Sequence, residues 1–232
     1  MNFTKFVSML EAEALWLARA DSFEDPFEGT WPHGTTTAIR NLMSNLGFAE
    51  QADRHLALYE RVRRTVFANC WYISETESAA MWKLYVAGDE GVSVVTRVAT
   101  LEEQLKRSEI DLMTSLVTYA DYDLVSPAAE NVLQPFVLKR ASFSHECEYR
   151  ILHWHAEFLG DDPWAVTDLN THGPSHPLGI ELRIEPAELI ERVHVGPAAA
   201  PWFGDLVEKT CRRFGLGCEV ERSTLYLRRL NR

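Results

Sequence analysis

The chain is poor in cysteine, and no two of its cysteines form a C-x-x-C pair. Cys70, Cys147, Cys211 and Cys218 are the full set of four. That argues against a disulfide-stapled secreted scaffold and against a structural zinc motif, and it reads as reduced, mostly buried thiols in a cytoplasmic protein. Long hydrophobic runs are missing too: nothing approaches the ~20 apolar residues that span a bilayer. Glu11 and Glu13 interrupt the first apolar stretch and no basic region precedes it, so neither a membrane partner nor a secretory signal is expected. Positive charge is also scarce. Against 23 Lys and Arg stand 34 Asp and Glu, a net charge of −11. A phosphate backbone repels such a surface, which argues against general nucleic-acid binding. The short basic clusters at 61–64, 212–213 and 227–232 read as solvated surface. Finally, G-x-x-x-x-G-K-[ST], G-x-G-x-x-G and G-x-S-x-G are all absent. The usual phosphate-cradling loops and the α/β-hydrolase elbow are thereby excluded.

What is present is a mixture of helical and strand periodicities without a regular βαβ alternation. Phe3, Phe6, Val7 and Leu10 form a helical stripe. Helices are also expected over 36–46, 50–64, from about 76 with Ser74 as N-cap and Glu77 at the capping-box position, and over 201–215. Strands are expected at 15–19, 65–74, 91–98, 112–119, 147–155, 180–184, 192–195 and 225–230. The pattern predicts a single α+β domain over 1–232, with a mixed, largely antiparallel sheet and helices packed around it. One long structureless stretch, 157–178, contains "THGPSHP".

Three segments carry the chemistry: "LWLARADSFEDPFEG", "NCWYISETESAAMWKLY" and "KRASFSHECEYRI". In order and spacing they resemble a widespread bacterial family catalogued as a domain of unknown function, number twenty-nine seventy-one. The tail "VHVGPAAAPWFGDLVEKTCRRFGL" is similar to that family's C-terminal part, so the resemblance covers most of the chain. Asn69 departs from it, standing where the family pattern has a serine before Cys-Trp. The family brings no settled activity. A second analogy is to ADP-ribosyltransferases that place an Arg on a first strand, a Ser at the end of a second and Glu-x-Glu on a later one. Arg19, Ser74 and the pair Glu146 and Glu148 follow that order.

The analogy implies an enzyme that uses NAD as donor to modify an unknown macromolecular acceptor. Such an activity fits a toxin, a phage-defence effector or a regulatory modifier, with or without a neutralising partner protein. Cleaving the nicotinamide–ribose bond builds positive charge on the sugar, which calls for a carboxylate, here Glu148. Side chains alternate along a strand, so Glu146, Glu148 and Arg150 are expected on one face. Glu146 would orient the acceptor, Arg19 would hold the pyrophosphate, and Ser74 would orient Glu148 or the ribose. Trp71 or Tyr72 would stack on the nicotinamide. Asp25 and Phe27, in the loop after the first strand, would form a wall of the nucleotide site. This reading requires Arg19 and Glu148 to share one side of the core.

Two alternatives remain. One is a non-enzymatic module that binds a nucleotide or peptide in the same pocket. The other is a metal-dependent phosphodiesterase or nuclease using Asp21, Asp25, Glu146 and Glu148. Beside both stands a plain structural reading, with Glu148 and Arg150 pairing on an exposed strand, Ser74 capping a helix and Arg19 clamping a turn. His153 and His155 share a strand face, but Cys147 lies too far along the strand to complete a zinc site with them.

Overall fold

A computed structural model describes residues 1–86, 88–129, 131–159 and 177–226. In chain order its helices and strands are α1 (Phe3–Ala12), β1 (Ala14–Arg19), α2 (His33–Asn45), α3 (Ala49–Val62), β2 (Val66–Tyr72), α4 (Ala79–Tyr85), β3 (Val92–Val95), α5 (Val98–Leu105), β4 (Met113–Leu116), β5 (Thr118–Ala120), β6 (Leu138–Arg140), β7 (Glu148–Trp154), β8 (Gly179–Arg183), α6 (Pro186–Leu189), β9 (Arg192–Val195), α7 (Pro201–Arg213) and β10 (Glu219–Arg222). The class is α+β, as the mixed periodicities predict. The chain divides into two compact units, one of 1–16, 74–109 and 181–232, the other of 17–73 and 110–180.

In the first unit, β9 is the central strand of three, parallel to β10 and antiparallel to β3. α1 starts because the Asn2 side chain accepts the Lys5 N–H, and it stops where Glu13 turns left-handed (φ 48°). The Phe3 ring meets Phe203 of α7 edge-on at 5.3 Å. α4 begins later than the capping-box pattern predicts. Ser78, not Ser74, is its N-cap and accepts the Met81 N–H. The apolar stretch 91–98 also divides. β3 ends at Val95, and the β-branched run continues as the helix α5 rather than as strand.

The second unit holds most of the five-stranded sheet, ordered β4-β7-β2-β1-β8. β7 lies between β4 and β2 and is antiparallel to both, and its first six residues are buried. A strand enclosed on both sides and both faces explains why EYRILH shows no clean alternation of burial. Beneath one face, Val62 of α3 and Phe136 pack with Ala20, Val66, Ala68 and Leu152. β5 and β6 form a separate parallel pair. Residues 225 and 226 are turn rather than strand, and 227–230 lie outside the described residues, as do His172 and His176.

The loop after β1 is pinned by Gly29, which has a φ of +74°. A Cβ there would come within 2.5 Å and 3.0 Å of the Phe136 ring. Gly29→Ala combines a left-handed backbone with a core clash, so it is expected to destabilise the protein by about 1–3 kcal/mol, read from denaturant unfolding.

Candidate functional site

Glu146 and Glu148 do not share a strand. A 3-10 turn, Ala141–Glu146, runs into Cys147, which adopts a left-handed conformation (φ 41°). β7 then starts at Glu148. Along β7 the parity rule holds: Glu148 and Arg150 project to one face, paired across the sheet with Tyr72 and Cys70 of β2. The left-handed residue nevertheless leaves Glu146 within reach of the same point, where Lys139 arrives from β6 and Glu28 from the loop ahead of Gly29.

These five side chains make one buried ion network, each residue at most 7 % exposed. Lys139 Nζ lies 2.9 Å from Glu28 Oε1, 2.7 Å from Glu146 Oε2 and 2.8 Å from Glu148 Oε1. Arg150 grips Glu148 with a fork, Nε to Oε2 at 2.8 Å and Nη2 to Oε1 at 3.0 Å. The same Nη2 lies 2.6 Å from Glu28 Oε2, and Nη1 donates to the Phe136 carbonyl at 2.9 Å. Two neighbours complete the surroundings of Glu148. Its backbone N–H donates to the Tyr119 hydroxyl at 2.9 Å, and its side chain is hydrogen-bonded with Cys70.

Three carboxylates face two cations, so the network carries one more negative site than positive. The two acids of "HECE" respond in opposite directions. Burial pushes Glu146 up from the ordinary carboxylate value, Lys139 only partly offsets this, and the neighbouring Glu148 adds to it. Burial also acts to raise Glu148, but the hydrogen bonds and charges of Arg150 and Lys139 together outweigh it and hold Glu148 well below the usual range. Glu148 is therefore the more firmly held anion of the two, and Glu146 is the one whose carboxyl takes up a proton more readily. Burial lifts the nearby phenols Tyr119 and Tyr122 to about 12, with the Asp25 and Glu28 charges contributing at Tyr122.

Beside the network, Arg140 forms a second pairing. It donates to both oxygens of the buried Asp25, at 2.8 Å and 3.3 Å. Its guanidinium lies over the rings of Phe27 (4.5 Å) and Phe143 (5.3 Å). Asp25 also accepts the Phe27 N–H at 3.0 Å, which shapes the loop.

Of the residues expected to form a site, Glu146, Glu148 and Tyr72 come together, and Asp25 and Phe27 lie in the adjacent loop. Arg19 does not join them. It pairs with Phe67, which pairs with His153, so Arg19 emerges on the sheet face opposite Glu148. It is also five residues along β2 from Tyr72, about 17 Å at strand rise. There it is held by Asp21 (2.6 Å) and the Pro177 carbonyl (3.3 Å). Trp71 alternates away from Tyr72 and pairs with Tyr149 on the far face. Ser74 belongs to the first unit, and its hydroxyl accepts the Thr76 N–H at 3.1 Å in a turn of its own. The thiols differ from expectation as well. All four are free, but only Cys211 is buried, while Cys70 and Cys147 are exposed and Cys218 is intermediate.

Lys139, Arg150 and Glu28 are the members to which the transferase reading assigned no role. All three stand inside quoted motifs, but their meeting depends on how β6 and β7 approach the loop after β1. The carboxylates once read as hard-metal ligands are engaged by cations: Asp21 by Arg19, Asp25 by Arg140, and Glu146 and Glu148 by Lys139. Among the described residues no group of three His, Cys, Asp or Glu is disposed to hold a metal ion. Nor is any described helix long and apolar enough to cross a membrane.

No family model, curated protein or solved structure matches this chain.

Proposed function

We propose that the second unit is a nucleotide-binding module, centred on the Glu28–Lys139–Glu146–Glu148–Arg150 network, that accepts the cationic nicotinamide end of NAD. One observation carries this reading: the network holds one carboxylate more than its cations balance. It lies directly across the strand pair from Tyr72, an aromatic ring open to solvent. An aromatic cation stacked on Tyr72 supplies the missing positive charge, and the ring supplies the stacking surface. Membership of the family of unknown function belongs to the same proposal, because two of its three motifs supply every residue of the network and the other supplies Tyr72.

Binding without turnover is preferred over the Arg–Ser–Glu transferase for two reasons. Arg19 lies on the wrong face to hold the pyrophosphate of a nucleotide at Glu148. Both oxygens of Glu148 are already engaged by Arg150 and Lys139, so neither is free to face a developing oxocarbenium ion. The transferase retains one specific support, the divergence of Glu146 and Glu148 in proton affinity, which is how a pair of acids divides acid and base roles.

Titration of the protein with NAD by calorimetry is the test, with nicotinamide release followed in the same samples. Saturable binding without release is expected. Tyr72→Ala should weaken the affinity about tenfold, and ADP-ribose, which lacks the cationic ring, should bind weaker than NAD by a similar factor, ~1.4 kcal/mol. Release that Glu148→Gln abolishes would replace the module with the transferase. No binding of NAD, in folded protein, would overturn both.

A further inference from the structure

The first unit carries a pair of thiols with no part in the network above. α7 ends in a tight left-handed cap. Gly215 adopts φ +74°, its N–H donates to the Arg212 carbonyl at 3.2 Å, and the Leu216 N–H reaches back to the Cys211 carbonyl at 2.9 Å. Two glycines in the six residues 212–217 let the chain double back at once, so Cys218, at the approach to β10, comes to rest against Cys211 in the last turns of α7. The two thiols interact: burial raises both from the ordinary thiol value, Cys211 to about 12, while Cys211 acts to lower Cys218 and Cys218 acts to raise Cys211. Both cysteines line one cavity of about 160 Å³, together with Glu208, Arg212, Leu216 and Val220. Cys211 is buried, whereas Cys218 is partly open to solvent.

We propose that Cys211 and Cys218 are a peroxide-responsive dithiol that closes to an intramolecular disulfide, clamping the end of α7 to the start of β10. The roles follow from exposure. Cys218 is partly open to solvent while Cys211 is buried, and although burial raises both thiols, their interaction favours the Cys218 thiolate over that of Cys211. The Cys218 sulfur attacks the peroxide O–O bond, takes one oxygen as a sulfenic acid, and releases the other oxygen as water. The Cys211 sulfur then attacks the Cys218 sulfur and expels that oxygen as a second water. The two thiols are oxidised by two electrons, one S–S bond forms, and hydrogen peroxide is reduced to two waters. A pair already in contact needs only local movement, because the glycine-rich turn absorbs the adjustment between helix end and strand. Cys70 and Cys147 sit in the other unit, Cys147 with its thiol directed to the Ser144 carbonyl.

The measurement is mass spectrometry of the full chain after hydrogen peroxide treatment, with free thiols alkylated under denaturing conditions. Trypsin places Cys211 and Cys218 on different peptides, because Arg212 and Arg213 stand between them. The expected product is a disulfide-linked pair of those peptides, lighter by two hydrogens than the sum of the reduced ones and separated by dithiothreitol. In a Cys70→Ser/Cys147→Ser background the same link should form, with loss of both remaining alkylation sites. Cys218→Ser should abolish the link and leave Cys211 alkylated. If that variant fails to fold, the double-serine background alone decides. Both thiols alkylated after treatment, separate sulfinic acids without a link, or a link to Cys70 or Cys147 in the native chain would each overturn the proposal.

Discussion

Arg150→Met is expected to cost the protein about 3–5 kcal/mol, a large fraction of the ~5–15 kcal/mol by which an ordinary domain is stable. Arg150 is 1 % exposed, yet it neutralises two carboxylates and also satisfies a backbone carbonyl. Methionine fills a similar volume, so the loss is not chiefly one of packing. It comes from leaving Glu28 and Glu148 to share a single cation, Lys139, away from water. The measurement is chemical denaturation of the variant beside Glu148→Gln and the double variant. Because the penalty lies in the orphaned charge, the double variant should recover a substantial part of the Arg150→Met loss, giving a coupling energy of 0.5–3 kcal/mol, an order-of-magnitude range for residues in contact. Simple addition of the two single losses would mean that Arg150 acts through packing alone.

The second large effect is on acid stability. The folded carboxyl of Glu148 lies below its unfolded value, about 4.3. A group depressed in this way contributes stability that is fully present above the unfolded value and is lost as the pH falls toward the folded one. Each unit of depression is worth about 1.4 kcal/mol. The wild type should therefore lose stability steeply below about pH 4, and Glu148→Gln should show a flatter acid limb. Glu146 runs the other way. Its folded value is raised, so its contribution is present at low pH and is lost as the pH rises through that value. Melting temperatures across the acid range check the signs. An unchanged acid limb in Glu148→Gln would show that the carboxylate is not held down by Arg150 and Lys139.

The sequence reveals some of this arrangement and hides the rest, for identifiable reasons. Parity along a strand is a local property, so the shared face of Glu148 and Arg150 could be read from their spacing. The fate of Glu146 could not, because nothing in "SHECE" announces that a cysteine, rather than a glycine, takes the left-handed turn. Arg19 illustrates the limit of parity. Whether it meets Glu148 depends on the register of β1 against β2, and a shift of one residue reverses the face. The cap of α4 fell to Ser78 and not to the expected Ser74: the two serines are equivalent by residue type, and the N–H group that each found decided it. α5 was hidden because Val98 and Thr100 extend a β-branched run that local preference assigns to strand. The contacts of Lys139 are wholly tertiary, since three acids from separate segments converge on it.

The left-handed cysteine between the two acids has a further consequence. In an uninterrupted strand, acids two apart would be separated by a fixed pitch, and their mutual repulsion would be set by that geometry. Here one backbone torsion sets how near the pair stands, while the strand holds only the second acid. Residue 147 is thus a tuning position. A substitution there that alters the preference for positive φ changes how strongly one acid senses the other's charge, with both carboxyl groups and both cations left chemically intact.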